Sequence, residues 1–224
     1  MKKLTPSRTP TKSERILKQR AAKIVAYLKK TYPVPKTELL YDTPFQLVVA
    51  VMLSAQCTDK VVNRVTRPLF QKYKTPQDFA KAKLATLQKE IASITFFRNK
   101  ARHVIAAAQQ FTGLGFSELV ALPGIGYKTA HVIRGELLGE YDGIPTDTHV
   151  KRFARRFGLT TETDLKKISH DLEALVPKKD WKYVNNGLVL YGRYTCPARP
   201  HDCSTHPLSR LIEKDRPRAL QKAR

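Results

Sequence analysis

The position of Lys128 in the sequence suggests covalent chemistry. It follows two glycines in LPGIGYKTAHVI, residues 122–133, where a helix should begin. The dipole of a helix N-terminus opposes a positive charge, and partial burial opposes it too, so a neutral amine becomes reachable. A neutral amine is a nucleophile, and it forms a Schiff base with an aldehyde-like sugar carbon. The plainer alternative, which this glycine-containing segment alone favours, is a lysine that contacts a phosphate.

Asp147 is the residue that could act with this lysine. It stands in IPTDTHVKRFARRFG, residues 144–158, as the predicted N-cap of a helix that runs to Phe157 and stops at Gly158. A plain helix cap is the alternative interpretation. If the two helix ends lie on either side of a cleft, the carboxylate and the amine could act on one ligand.

Two short helices must position Lys128. The first ends at Pro123, residues 124–126 make a tight Gly-Ile-Gly turn, and the second runs from about Tyr127 to Gly139. Glycines let the backbone approach a ligand closely, and the free N–H groups of a helix N-terminus bind phosphate. This helix-hairpin-helix pattern favours contact with a DNA backbone without sequence preference.

The remaining sequence predicts helices throughout. Apolar residues recur at helical spacing, and no stretch alternates apolar and polar residues as a strand would. The other predicted N-caps are the hydroxyl residues Ser13, Thr43, Thr58 and Thr75. Thr43 and Thr75 precede a proline, which suits the first helical position. The expected fold class is therefore all-α.

The composition indicates a polyanionic partner. Lys plus Arg is 41 and Asp plus Glu is 19, for a net charge of +22, and nucleic acid is the first candidate for such an excess. No apolar run approaches the roughly 20 residues that span a membrane, and three cysteines do not suggest a secreted disulfide framework. We expect an intracellular protein, in the cytoplasm and nucleoid, or in the nucleus or an organelle of a eukaryote.

Three stretches together resemble the endonuclease III family of helix-hairpin-helix DNA glycosylase/AP lyases. They are LSAQCTDKVVNRVT (53–66), LPGIGYKTAHVI (122–133) and TDTHVKRFARRFGL (146–159), and GRYTCPARPHDC (192–203) extends the resemblance into the C-terminal part. Each is moderately specific, and their combination is highly specific. The resemblance extends from about residue 15 to about residue 205.

The resemblance implies an all-α, two-lobed molecule with a DNA-binding cleft between the lobes. One lobe is a six-helix barrel, residues 37–141, which carries the hairpin. The other is a discontinuous helical domain built from 1–36 and 142–224, in which we expect 1–12 and 215–224 to be disordered basic tails. The family also implies a monomer that binds double-stranded DNA with damaged bases or abasic sites.

The resemblance assigns the catalytic roles to Lys128 and Asp147. The lysine attacks C1′ of a damaged nucleoside, displaces the base, and the Schiff base then loses the 3′ phosphate by β-elimination. The aspartate stabilises positive charge on the sugar and assists proton transfer. The implied substrates are oxidised or ring-saturated pyrimidines. His149 is expected to pack near the site without a catalytic step.

Further residues match positions that contact DNA in the family. Gln56 corresponds to the glutamine that fills the gap left by the extruded base, and Phe96 to an apolar wedge. For Phe96 a core role is an alternative, with Phe97 as the wedge instead. The hairpin contacts to the phosphates are assigned to Leu122, Gly124, Gly126, Lys128 and Thr129.

The sequence departs from the family at its iron–sulfur site. The family holds a 4Fe–4S cluster with the spacing Cys-x6-Cys-x2-Cys-x5-Cys, and here those positions are Cys196, Cys203, His206 and Ile212. Only two thiolates match, so we predict no cluster. Zinc held by Cys196, Cys203 and His206, with His201 as a fourth ligand, is an alternative. We predict no metal, because the spacing of His201 and Cys203 is too tight for the usual zinc patterns.

Two other functions remain open at this stage. The loss of the cluster favours a non-catalytic DNA-binding protein, whereas retention of Lys128, Asp147 and Gln56 favours an enzyme, because binding alone does not need this trio. A monofunctional adenine-mismatch glycosylase lacks a lysine at the position of Lys128.

Overall fold

The computed structural model describes residues 11–213, and all regular secondary structure within that range is helical. The all-α prediction is therefore confirmed. No helix in the described part of the chain is long and apolar enough to cross a membrane. The predicted tails lie outside the described residues except for Thr11 and Lys12, which begin the first helix.

The chain divides into two compact units, 36–142 and a discontinuous unit whose described parts are 11–35 and 143–213. The helices of the unit 36–142 are α2 Pro44–Ser54, α3 Asp59–Lys72, α4 Pro76–Ala80, α5 Leu84–Glu90, α6 Phe97–Gln110, α7 Phe116–Ala121 and α8 Tyr127–Leu138. The discontinuous unit contains α1 Lys12–Thr31, α9 Thr148–Arg156, α10 Leu165–Leu175, α11 Leu188–Tyr194 and α12 Pro207–Ile212. A 3-10 turn, Lys178–Asp180, and a π-helical segment, Tyr183–Gly187, precede α11.

Hydroxyl caps begin several of these helices. Thr43 and Thr75 each accept the backbone N–H three residues on and are each followed by proline, and Thr58 caps α3 in the same way. The predicted cap Ser13 is wrong, because Thr11 caps α1 two residues earlier. Thr11 forms a reciprocal capping box with Glu14, which satisfies two N–H groups at once.

The central helix of the unit 36–142 is α2. Every residue from Phe45 to Leu53 is buried, as expected for a helix that is apolar on all sides. It packs against α3, α6 and α8. This packing fixes the C-terminus of α2, where the chain turns at Gln56, and supports α8, which carries Lys128.

The discontinuous unit holds α9 along one face and at its C-terminus. Val150, Phe153 and Ala154 are buried on one face of α9, which packs against α10 and α11. At its C-terminus, the fully buried Arg20 of α1 donates to the carbonyls of Phe157 and Gly158 at 3.3 and 3.0 Å. Since the last carbonyls of a helix lack partners within it, this guanidinium stabilises the end of α9.

Candidate active site and metal centre

The hairpin before Lys128 is anchored by two buried apolar side chains. Leu122 and Ile125 are 4% and 5% exposed, and the Ile125 N–H donates to the carbonyl of Leu122 at 3.1 Å. Gly124 has φ +82°, and a Cβ there would meet Nδ1, Cβ and Cγ of His103 at 2.8–3.0 Å. Both conformation and space therefore require glycine at 124.

The N-terminus of α8 is open to an anion. Gly126 is the N-cap, no side chain caps the helix, and a Cβ at Gly126 would meet nothing within 4 Å. The first-turn N–H groups thus face an unobstructed surface, which suits a phosphate. Lys128 and Tyr127 are exposed beside it, and Thr129 is half-buried. The partial burial of Lys128 that was expected from the sequence is wrong, because the side chain is exposed.

Asp147 is the N-cap of α9, as predicted. Its Oδ1 accepts the N–H of Val150 at 2.9 Å, and the side chain is half-buried. Among the described residues, no hydrogen-bond partner is seen for Oδ2. One oxygen therefore fixes the carboxylate while the other stays available, so a capping role and a catalytic role are compatible. Lys128 belongs to the unit 36–142 and Asp147 to the discontinuous unit.

Gln56 and Phe96 share an unusual backbone conformation. Their φ angles are 54° and 59°, and within residues 11–213 they are the only non-glycine residues with positive φ. Residues with side chains rarely adopt this region, and such conformations cluster at functional sites. Both side chains are exposed, and Phe96 is 61% exposed. Phe97, by contrast, is half-buried and packs against the core.

Lys100 joins the two turns that carry Gln56 and Phe96. It is 8% exposed, and its Nζ donates to the carbonyls of Leu53 and Ala55 at 2.8 and 2.5 Å. Its backbone N–H donates to the carbonyl of Phe96 at 3.1 Å. Burial lowers the pKa of this amine below its usual range.

Sequence reasoning missed Lys100, although a signal was present. Lys100 lies on the face of α6 that also carries the buried residues Val104, Ala107 and Ala108. A lysine at an apolar position is rare without a partner. The partners are carbonyls at the C-terminus of α2, 45 and 47 residues away, so only the tertiary structure identifies them.

Replacing Lys100 with methionine is expected to lower the free energy of unfolding by about 1–3 kcal/mol, because the carbonyls of Leu53 and Ala55 would lose their buried donor. Urea unfolding followed by circular dichroism measures the change. Lys89→Met, at an exposed lysine of α5, is the matched control and should change stability by less than about 0.5 kcal/mol. Equal stability of the two variants would show that Lys100 does not hold the end of α2.

Four potential metal ligands converge between α11 and α12. One ligand atom from each of Cys196, His201, Cys203 and His206 lies within 4.8 Å of the other three. Both cysteines are buried, and burial, together with Cys203, raises the pKa of the Cys196 thiol to about 11. Among the described residues, this is the one such group of histidine, cysteine or carboxylate side chains.

The iron–sulfur cluster of the family does not fit these residues. Ile212, at the fourth cluster position, is 2% exposed within the apolar core and offers no ligand atom. The remaining cysteine, Cys57, belongs to the other unit. Two thiolates cannot replace the four that hold a 4Fe–4S cluster, so these residues do not suit one.

Known proteins resemble this chain over most of its length. The model of the HhH-GPD superfamily of base excision DNA repair proteins matches residues 49–178. Endonuclease III of Synechocystis sp. is 41% identical, covering 87% of this chain and 92% of that protein. Endonuclease III of Bacillus subtilis is 40% identical, covering 84% and 89%.

Solved structures agree in fold. A trapped endonuclease III–DNA covalent intermediate superposes with a TM-score of 0.80 at 34% identity, covering 88% of this chain and 96% of that chain. A thermostable thymine-DNA glycosylase, at 18% identity and a TM-score of 0.74, shares the fold. The family resemblance stated from the sequence is thereby confirmed.

Proposed function

Because this chain belongs to the HhH-GPD superfamily of base excision DNA repair proteins and is 41% identical to an endonuclease III, it is a DNA glycosylase/AP lyase, and we propose that Lys128 and Asp147 carry out its two reactions. Its partner is DNA that contains damaged bases. The observation that carries the assignment is the exposed Lys128 at the uncapped N-terminus of α8, directly after the hairpin glycines.

Lys128 is the nucleophile of this proposal. Its neutral amine attacks C1′ of the extruded nucleoside, the N-glycosidic bond breaks, and the base leaves with the bonding electrons and gains a proton. The amine nitrogen then loses a proton, the C1′–O4′ bond of the sugar ring breaks, O4′ gains a proton, and a protonated Schiff base forms between the nitrogen and C1′. This Schiff base makes the C2′ proton acidic. Loss of that proton and departure of the 3′ phosphate cleave the strand by β-elimination. The neighbouring N–H groups of α8 hold the backbone phosphates in place for this attack.

Asp147 supports both steps through its charge. Positive charge develops on the sugar as the base departs, and a fixed carboxylate stabilises it. The same group accepts a proton from the amine and returns one during elimination. The hydrogen bond from Val150 to Oδ1 fixes its position, and Oδ2 is the oxygen available for this work.

Gln56 and Phe96 replace the base that has left the stack. Extrusion of a nucleotide leaves a gap that an apolar wedge and a polar side chain can fill. Their positive φ angles and exposure support this role, and Phe96 suits it better than the half-buried Phe97. Leu122, by contrast, is buried, so its part in DNA binding is to anchor the hairpin.

We infer that the substrates are oxidised or ring-saturated pyrimidines. We also infer that the protein works in the cellular compartment that contains the DNA. The test uses four duplexes. The first contains a ring-saturated thymine, the second an abasic site and the third adenine opposite 8-oxoguanine, and the fourth is undamaged. We expect base release and strand cleavage at the first, cleavage at the second, and neither at the others.

Each departure from that pattern identifies an alternative. Binding to all four duplexes without cleavage would favour a non-catalytic DNA-binding protein. Release of adenine opposite 8-oxoguanine, with the strand intact, would favour the adenine-mismatch glycosylases. Either result would contradict the proposed assignment of Lys128.

A further inference from the structure

We propose that Cys196, His201, Cys203 and His206 bind a single zinc ion at the place where the family holds an iron–sulfur cluster. The expectation that this chain holds no metal rested on the sequence spacing of His201 and Cys203. In three dimensions that spacing does not prevent the four side chains from converging, since their ligand atoms lie within 4.8 Å of one another.

The distances suit one tetrahedral ion. With Zn–S bonds of about 2.3 Å, two thiolates on a tetrahedral zinc lie about 3.8 Å apart, and the sulfurs of Cys196 and Cys203 are 3.7 Å apart. Nε2 of His201 lies 3.3 Å from the sulfur of Cys203, also close to one edge of such a tetrahedron. A four-iron cluster binds each thiolate through a different iron and would spread the ligands farther apart.

His201 is oriented by its own loop. Its Nδ1 lies 2.6 Å from the carbonyl of Arg199, so Nδ1–H donates to that oxygen. The lone pair of Nε2 is then directed to the side of Cys203 and is available to a metal. Histidine ligands of metals commonly donate their other N–H to a carbonyl in this way, which fixes tautomer and ring orientation.

His206 contains a polar atom that lacks a partner. Its Nδ1 is buried and has no hydrogen-bond partner among the described residues. A buried polar atom without a partner is costly and rare in a native protein. A metal ion held by the two sulfurs and His201 would provide that partner, because the ring centroids of His206 and His201 are 4.9 Å apart.

Two arginines of α9 stabilise the sulfur side of the site. Arg152 donates to the carbonyls of Cys196 and Pro197 at 2.7 and 2.8 Å, and Nη1 of Arg156 lies 3.8 Å from the sulfur of Cys196. Their positive charges would offset the negative charge that two thiolate ligands bring to a metal site. Two thiolates and two neutral imidazoles also leave a site that contains Zn²⁺ without net charge.

The site has the features of a structural centre. Four protein ligands leave no open position for a substrate or water, as in structural zinc sites. The ion would link the two ends of the segment 196–206 and so fix the start of α12, which packs against α1. We therefore expect zinc to contribute to stability.

The test uses the full chain, purified under reducing conditions. Inductively coupled plasma mass spectrometry should find close to one zinc ion per chain and no iron. After removal of zinc, one equivalent of Co²⁺ should give intense visible bands of tetrahedral coordination and a sulfur-to-cobalt charge-transfer band, and Zn²⁺ should displace it. The zinc-bound chain should also unfold at a higher temperature than the metal-free chain.

Substitutions of single residues test which side chains bind the metal. Cys203→Ser should lose the charge-transfer intensity that its sulfur supplies, and binding should weaken by at least about tenfold. Cys57→Ser, the matched thiol control, should bind like wild type. If Cys203→Ser fails to fold, His201→Ala at an exposed loop position should fold and show weaker, altered cobalt bands.

Three results would overturn the proposal. The first is a reduced chain that binds neither Zn²⁺ nor Co²⁺ in stoichiometric amounts. The second is a brown protein that contains iron and sulfide. The third is a Cys196–Cys203 disulfide, found by mass spectrometry without reductant, in a chain that contains no metal.

Discussion

Replacing Lys128 with glutamine is expected to abolish strand cleavage and Schiff-base formation while leaving DNA binding largely intact. Loss of the nucleophile should reduce lyase turnover by at least about 10⁴-fold, as for other residues that form covalent intermediates. Binding should weaken by less than about tenfold, roughly 1.4 kcal/mol. The reason is that the N–H groups of α8 and the other basic residues would still be available to the phosphates.

The measurement is borohydride trapping on a duplex with one abasic site, beside a binding assay on the same duplex. Reduction converts the Schiff base into a stable covalent adduct, which wild type should form and Lys128→Gln should not. Lys89→Gln changes an exposed lysine of the same unit and should trap like wild type. If Lys128→Gln loses binding and trapping equally, the lysine is a phosphate contact and the assignment fails.

Replacing Asp147 with asparagine is expected to slow base removal by about 10²–10⁴-fold without changing stability. Asparagine and aspartate are equally good N-caps, so the amide oxygen should keep the hydrogen bond from Val150. The charge is then the only property removed. The free energy of unfolding should therefore stay within about 0.5 kcal/mol of wild type.

Asp164→Asn is the matched control for this variant. Asp164 caps α10 by accepting the N–H groups of Lys166 and Lys167 at 3.0 and 3.1 Å, and it is exposed. Single-turnover base release from a duplex with one damaged pyrimidine, with parallel urea unfolding, compares the two variants. Wild-type turnover in Asp147→Asn would mean that Asp147 is only a cap.

Local signals along the chain predicted the helices well. Thr43, Thr58 and Thr75 cap helices where the sequence placed them, because a cap depends only on a hydroxyl and the next three residues. The error at Ser13 is equally local. Thr11 and Glu14 form a reciprocal capping box, which satisfies more N–H groups than a serine alone.

The sequence by itself therefore determined the helical class, the hairpin and the types of residue that could carry the reaction. A lysine after Gly-Ile-Gly and an aspartate at a helix start are visible in short segments, since both depend on near neighbours. The exposure of Lys128 was not visible, because burial depends on which elements pack around α8.

Only the tertiary structure decided the contacts between distant segments. It placed Lys100 on the carbonyls at the end of α2 and brought the ring of His201 to Cys203 despite their tight spacing. Sequence spacing limits how far apart two side chains can lie but does not fix their directions. The folded backbone sets those directions, and with them which side chains converge between α11 and α12 and which turns Lys100 supports.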